Sequence, residues 1–304
     1  MPALNHLLSA FLLAYLSITQ AIASTVVIEV QDDRGHKVKL SQPAQRIVSL
    51  APSTTELLFS AGAGKQVVGV VSYSNFPEEA QRITSVGSYN QVDLESVLAL
   101  NPDLVVAWYS GNSPAAIEQL KRLGMPVYLT ETRYLEQLPV TVRKLGLLTG
   151  HADSAEKIAE QLHQGLVTLK QQYSQQRPVR VFYQVWDEPL ITINQENLIS
   201  QVIELCGGQN VFADLNSIAP RISVEAVLQA NPDVIIASGM EEQRPEWLDA
   251  WQYWPSLNAV KQQQLHFIPP DLIQRQTPRV LQGAILMCQQ LAQTRQRLSK
   301  ASNE

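Results

Sequence analysis

Cysteine is nearly absent: two residues in a chain of 304 are too few for a disulfide scaffold or a cysteine-rich zinc site. Charge is scarce too, with Asp, Glu, Lys and Arg at 17% against about 25% in ordinary soluble proteins. The 23 Lys and Arg set against 28 Asp and Glu form no basic block, so the electrostatic footprint of a nucleic-acid binder is missing. Signatures of common chemistry are missing as well. Gly62-Ala-Gly64 opens a dinucleotide fingerprint that Val67 breaks. Gly64-Lys65 lacks the glycine (Phe59) and the hydroxyl residue (Gln66) of a phosphate loop. Gly111-Asn-Ser113 runs into Pro114 and Ala115 instead of completing a nucleophile elbow. His6, His36, His151, His163 and His266 show no short metal-ligand spacing. Neither an enzyme nor a metal centre is expected from these residues.

Long apolar runs are also absent. The longest, Leu7 to Ile18, is about 12 residues, short of the roughly 20 that span a bilayer. It is followed by Ala21-Ile22-Ala23, the small-residue pattern of a secretory cleavage site, so residues 1–23 read as a signal peptide cut after Ala23. The segment before the run has no Lys or Arg, and no Cys follows the small residues to take a lipid. An exported, soluble mature chain is expected. Export gives Cys206 and Cys288, 288 − 206 = 82 residues apart, two readings: one bridge or two buried thiols. An oxidising compartment favours the bridge.

What is present is a repeat. Glu95-Ser-Val-Leu-Ala-Leu-Asn-Pro-Asp-Leu-Val-Val-Ala107 aligns with Glu225-Ala-Val-Leu-Gln-Ala-Asn-Pro-Asp-Val-Ile-Ile-Ala237 at an offset of 231 − 101 = 130. Each copy reads as a short helix, stopped where Pro102 or Pro232 disfavours the helical region for the preceding Asn, and then a buried strand. Further strands are predicted at Arg46–Leu50, Val67–Val71, Val127–Leu129, Val179–Val185 and Leu265–Ile268, and helices at Ile117–Leu123 and Leu198–Cys206. Ser53 to Glu56 reads as a capping box opening a helix that runs to Ala61. From Asp153 to Gln176, Ile158, Leu162, Leu166 and Leu169 recur at helical spacing, with Ser154 as the expected cap. The expected fold is α/β: two Rossmann-like lobes, 46–150 and 178–304, joined by a single long α-helix within 151–177, with a ligand cleft between the lobes. Residues 24–45 precede the first lobe; Val26, Ile28 and Val30 alternate before an Asp33-Arg-Gly35 turn, suggesting a hairpin. Aromatics gather near strand ends (Tyr73, Tyr89, Trp108, Tyr109 and Trp186), where α/β sheets bind ligands, and flat apolar faces suit a large uncharged ligand rimmed by amides.

The same residues carry a resemblance. Ile47-Val-Ser-Leu-Ala-Pro-Ser-Thr-Thr-Glu-Leu57 and Val68-Gly-Val-Val-Ser-Tyr-Ser-Asn-Phe-Pro77 resemble the helix-linked binding proteins for siderophores, haem and cobalamin. Asn101-Pro-Asp-Leu-Val-Val-Ala-Trp108, Glu204-Leu-Cys-Gly-Gly-Gln-Asn210 and Pro278-Arg279 carry the likeness further, and the Val71-Ser-Tyr-Ser74 and Ala107-Trp108 segments with the paired Cys favour the cobalamin branch, the periplasmic vitamin B12-binding proteins of ABC importers. The likeness extends from about Arg46 to the last helix. It implies a binding protein without catalysis or a bound cofactor, whose ligand is cobalamin. The alternative is haem or an iron–siderophore, for which Arg133, Arg221 and Arg275 are the candidate anion partners. It implies that Tyr73 contacts the corrinoid and that Asp271, Leu272, Ile273, Gln274 and Arg275 line the opposite lobe. It implies a Cys206–Cys288 bridge. It further implies that Glu95 and Glu225 dock, one per lobe, on a membrane permease in an importer of two permease and two ATPase subunits. Where the family carries aromatics this chain has Tyr89, Leu272 and Ala219, so two of the three are lost, and Trp186 offers replacement stacking area.

Overall fold

Short β-branched runs, and the helices that cover them on both faces, set the architecture. The computed structural model describes residues 27–239 and 243–301; the signal peptide expected over 1–23, and Val26, lie outside the described residues. The first elements are β1 (Ile28–Gln31) and β2 (Lys37–Leu40), an antiparallel pair with Val30 opposite Val38. Their turn closes because Asp32 accepts the backbone N–H groups of Arg34 and His36, both at 2.8 Å, and Gly35 takes a left-handed φ of +81°.

The N-terminal lobe follows as β3 (Ile47–Ser49), α1 (Pro52–Ser60), β4 (Val67–Val70), β5 (Thr84–Ser85), α2 (Leu94–Ala99), β6 (Leu104–Trp108), α3 (Pro114–Arg122), β7 (Val127–Thr130) and α4 (Gln137–Thr149). Its strands are all parallel, in the order β5-β4-β3-β6-β7. After α5 (Ala152–Tyr173) the second lobe runs β8 (Val179–Gln184), α6 (Leu198–Leu205), β9 (Gly208–Asn210), α7 (Val224–Ala230), β10 (Val234–Ala237), α8 (Asn258–Lys261), β11 (Leu265–Phe267), α9 (Pro270–Ile273) and α10 (Val280–Ala301). Its sheet is parallel too, in the order β9-β8-β10-β11. The rows β4-β3-β6-β7 and β9-β8-β10-β11 are one arrangement used twice, which is the sequence repeat seen in three dimensions.

The repeat extends to single side chains. Asp103 accepts the N–H groups of Gln45 and Arg46 at 2.8 and 3.0 Å, and Arg46 donates to the Leu100 carbonyl at the end of α2 at 2.7 Å. In the other lobe Asp233 accepts the Arg180 N–H at 3.0 Å, and Arg180 donates to the Ala230 carbonyl of α7 at 2.7 Å. Each Arg thus occupies a helix-end carbonyl that has no partner within its helix. Asn101 and Asn231, which precede the two prolines, leave the right-handed helical region as expected and are left-handed, with φ of +46° and +42°. Asparagine tolerates that region better than most residues, and it ends the helix within one residue.

Two expected caps are corrected. Helix α1 starts at Pro52 with Ala51 as N-cap, because proline's fixed φ suits the first helical position. Ser53 and Glu56 therefore form no capping box. Helix α5 begins at Ala152 with His151 as N-cap, which places Ser154 inside the first turn.

Helix α5 is shared by both cores. Ala155 and Ala159 pack into the N-terminal core with Leu58, Val142 and Leu145, while Leu162, Leu166 and Leu169 pack with Val181, Val202 and Met287 of the C-terminal lobe. Its entry is tight: Gly150 ends α4 in the left-handed region (φ +77°), and α4 presents Gly146 to Ala155 where any larger residue would collide. The long helix between the two lobes is thus a spine buried in each. Cys206, just past α6, is joined to Cys288 of α10 with Cα atoms 4.7 Å apart.

Candidate functional site

Parallel sheets offer ligands the crevice outside the carboxyl ends of their strands. Here a cavity of about 380 Å³ lies between the lobes, within the range of about 300–1,000 Å³ usual for small-molecule sites. The N-terminal lobe contributes Trp108 at the end of β6 and Thr132 and Arg133 beyond β7; the C-terminal lobe contributes Val185 beyond β8, Ala219 and Gln274. The Thr132 hydroxyl is buried and has no hydrogen-bond partner among the described residues.

The aromatic residues sit mainly on the N-terminal side. Tyr89 and Trp108 meet with ring centroids 6.1 Å apart, and Tyr73 stands out on the loop after β4 with 81% of its surface exposed. Asn112 places this group and was missed in the sequence. Its amide donates to the Leu50 carbonyl at 2.7 Å and the Tyr89 carbonyl at 2.6 Å, and its oxygen accepts the Trp108 N–H at 2.7 Å. One buried side chain thereby ties the loops after β3 and β6 to the Tyr89 loop. Trp186 is half-buried, and its indole N–H donates to the Glu188 carbonyl at 3.0 Å. It does not border the cavity.

The 271–275 stretch divides. Ile273 and Gln274 border the cavity, although Ile273 is 1% exposed and belongs to the lobe's core. The Leu272 carbonyl lies over Gly283 of α10. Asp271 and Arg275 belong to an ionic network that crosses between the lobes. Arg275 donates to the Glu56 carboxylate at 2.6 Å and pairs with Asp271 at 2.8 Å; Arg279 reaches Glu56 at 3.2 Å and the Thr277 hydroxyl donates to it at 3.0 Å. Burial pushes the Glu56 carboxyl above the ordinary carboxylate range, against the opposing pull of the two guanidinium groups. Glu56 was hidden in sequence by its apparent role as a cap. A second bridge uses Gln201 of α6, which accepts the Leu135 N–H at 3.0 Å and donates to the Arg133 carbonyl at 2.7 Å.

The cations near the cavity are paired. Arg133, the only cation among the residues lining it, is held by Glu131 at 3.1 Å. Arg275 and Arg279 share Glu56 and Asp271. Arg221 is exposed and lies outside the lining. Among the described residues no group of three or more His, Cys, Asp or Glu is arranged to hold a metal ion, and no helix is long and apolar enough to cross a membrane.

Glu95 and Glu225 are both exposed and occupy the second residue of α2 and of α7. Asp93 caps the first helix by accepting the N–H groups of Glu95 and Ser96, and Ser223 caps the second by accepting that of Ala226. The Glu225 carboxyl is held below its ordinary value by its own backbone N–H and by Ser223. Their helices run back along the strands, which puts both carboxylates on the ligand side of their lobes.

A family model described as "Periplasmic binding protein" matches residues 47–272. The "Vitamin B12-binding protein" of Yersinia pestis (strain Pestoides F) is 36% identical over 252 residues, covering 83% of this chain and 88% of that one. The crystal structure of the periplasmic vitamin B12 binding protein BtuF of Vibrio cholerae superposes with a TM-score of 0.76 at 34% identity, covering 83% of this chain and 98% of that one. The periplasmic haem-binding protein RhuT from Roseiflexus sp. RS-1 superposes with a TM-score of 0.71 at 22% identity, over 83% and 99% of the two chains, a likeness of fold alone. The two parallel sheets on a shared helical spine, the interlobe cavity and these matches together identify the chain as a member of the periplasmic binding protein family, alongside its vitamin B12-binding proteins.

Proposed function

We propose that this chain captures cobalamin between its lobes in the periplasm and delivers it to an ABC-type membrane importer, without catalysing a reaction. The carrying observation is the pairing of charge in the cleft. Arg133 is matched by Glu131, and Arg275 and Arg279 by Glu56 and Asp271, so among the described residues that line or flank the cavity none of these guanidinium groups is left over for a ligand carboxylate. Haem and ferric siderophores present anionic groups that such a wall leaves unpaired, and a buried unpaired charge is costly. A corrinoid presents a broad apolar face and neutral amides. Trp108 at the cavity wall, with Tyr89 against it and Tyr73 exposed on its loop, supplies flat surface from one lobe. The Thr132 hydroxyl and the Gln274 amide supply polar partners. Glu95 and Glu225 serve as the docking charges for a permease pair, driven by two ATPase subunits, one carboxylate to each permease subunit.

The reading is tested by colour. Protein exported from cells fed cobalamin is expected to purify with the corrinoid absorption bands. A haem Soret band on protein from cells supplied with both ligands, with no corrinoid band, would overturn it.

A further inference from the structure

Tyr73 is held in a conformation that its own sequence does not favour. Its φ is +65°, a region that is strained for a residue with a side chain and persists only where the surroundings over-determine it. Several restraints lie within the N-terminal lobe. Ser72 donates its backbone N–H to the Gly87 carbonyl at 2.8 Å, Ser74 donates its own to the Val71 carbonyl at 3.2 Å, Asn75 donates its own to the Tyr73 carbonyl at 2.9 Å, and the Ser74 hydroxyl accepts from Thr55 of α1 at 3.1 Å. The opposite lobe adds others: Asp271 accepts from the Asn75 amide at 3.5 Å, and Arg275 makes two contacts. Arg275 reaches the Tyr73 carbonyl at 3.4 Å and the Asn75 side-chain oxygen at 2.8 Å.

Arg275 is itself aimed by Glu56. That carboxylate is 1% exposed and belongs to α1, one residue after the Thr55 that grips Ser74. It takes Arg275 at 2.6 Å, Arg279 at 3.2 Å and Thr277 at 3.0 Å, so three groups of the C-terminal lobe converge on one residue of the N-terminal lobe. Arg279 in turn lies 4.0 Å over the ring of Phe76, the far end of the same loop. A buried ion pair is weak evidence for stability, and its better-attested use is to select one arrangement.

We infer that Glu56 is a positioning residue for Tyr73: through Arg275 it sets the 72–76 loop against the cleft, so that the seating of one lobe on the other fixes the pose of a ligand-facing tyrosine. The binding arm of its test rests on the cobalamin reading; the exchange arm does not.

The test is a double-mutant cycle on the full mature chain with cyanocobalamin, using Glu56→Gln, Tyr73→Ala and the pair. Glu56→Gln is expected to weaken binding about tenfold in the parent and less than about twofold once Tyr73 is gone, because a residue that acts through another has nothing left to act through. Equal losses in both backgrounds would overturn the inference. Asn75→Ala, which removes the second acceptor of Arg275 and the amide that Asp271 accepts, is the companion variant should Glu56→Gln fold poorly, and the same dependence on Tyr73 is expected of it. Hydrogen exchange on the ligand-free protein is the second arm. The amides of 72–76 should exchange several-fold faster in either variant while those of β6 stay unchanged. Unchanged exchange in the loop overturns the inference, even if the parent fails to bind cyanocobalamin and the cobalamin reading falls separately.

Discussion

At the strand ends that face away from the cleft the two lobes use the same parts. Asp103 with Arg46, and Asp233 with Arg180, tie the end of a helix to the start of the first strand in each, and a left-handed Asn precedes each Pro. At the cleft the likeness ends. The N-terminal lobe exposes Tyr73 and Tyr89, whereas in the C-terminal lobe Phe182, Tyr183 and Trp251 are buried. Phe182 and Trp251 meet edge to face at 5.6 Å, and Trp251 is capped by Trp254 and donates its indole N–H to Gln184 at 2.7 Å. Only the second lobe carries a disulfide. One half of the molecule therefore offers flat surface, and the other offers a braced polar edge that holds the first half in place. A duplicated scaffold has kept its supports and diverged where the ligand sits.

Four measurements break or sharpen this contrast, in descending order of effect. The largest concerns what the lobes share on the ligand side. Reversing both carboxylates, Glu95→Arg with Glu225→Arg, should abolish cobalamin transport in reconstituted vesicles while binding is unchanged. Each single reversal should weaken complex formation, more so at low salt, where repulsion is less screened. Transport at the parent rate would move the docking surface elsewhere. Next is the disulfide, present in one lobe only. It closes 82 residues, for which loop entropy gives a stabilisation on the order of 4–5 kcal/mol, an upper figure. Cys288→Ser should lower the denaturant midpoint and leave ligand affinity within about twofold, since both Cys are fully buried and neither borders the cavity. An unchanged midpoint would remove the bridge from the list of braces.

Third is the exposed aromatic side. Tyr73→Ala should cost about 2 kcal/mol of binding, roughly thirtyfold, with the melting temperature of the empty protein unmoved. A fall in both would make Tyr73 part of the packing. The smallest effect is confined to the C-terminal lobe. Burial, with a smaller contribution from Arg297, depresses the pKa of His266, so the folded state favours the neutral ring. Its contribution is present above the ordinary value near 6.5 and is lost as pH falls toward the depressed value. The melting temperature should fall on acidification from pH 7.5 to 5.5, with a shallower slope in His266→Gln. Parallel slopes would rule His266 out as the source.

Much of this was legible because it is local. The runs Leu104–Ala107 and Val234–Ala237 announce buried strands by their composition, and the heptad-like spacing of Leu162, Leu166 and Leu169 announces the spine. The site was less legible because its partners are far apart in the chain. Glu56 meets Arg275 across 219 positions, and a short-range pattern in its own segment offered a plausible and mistaken cap. Asn112 carries no short-range signal because its backbone partners Leu50 and Tyr89 lie 62 and 23 positions away, and only Trp108 is near in the chain. Ile273 borders the cavity and at the same time packs in the core of its lobe, a double role that a linear stretch does not announce.

The central claim is that the cleft selects a neutral, broad-faced ligand because its cations are already paired. A calorimetric titration of the mature chain with cyanocobalamin and with haem, side by side in one buffer, tests it most directly. The account predicts a single saturable site for cyanocobalamin and no comparable heat with haem. Haem binding at one site, with no heat and no spectral change from cyanocobalamin, would contradict it.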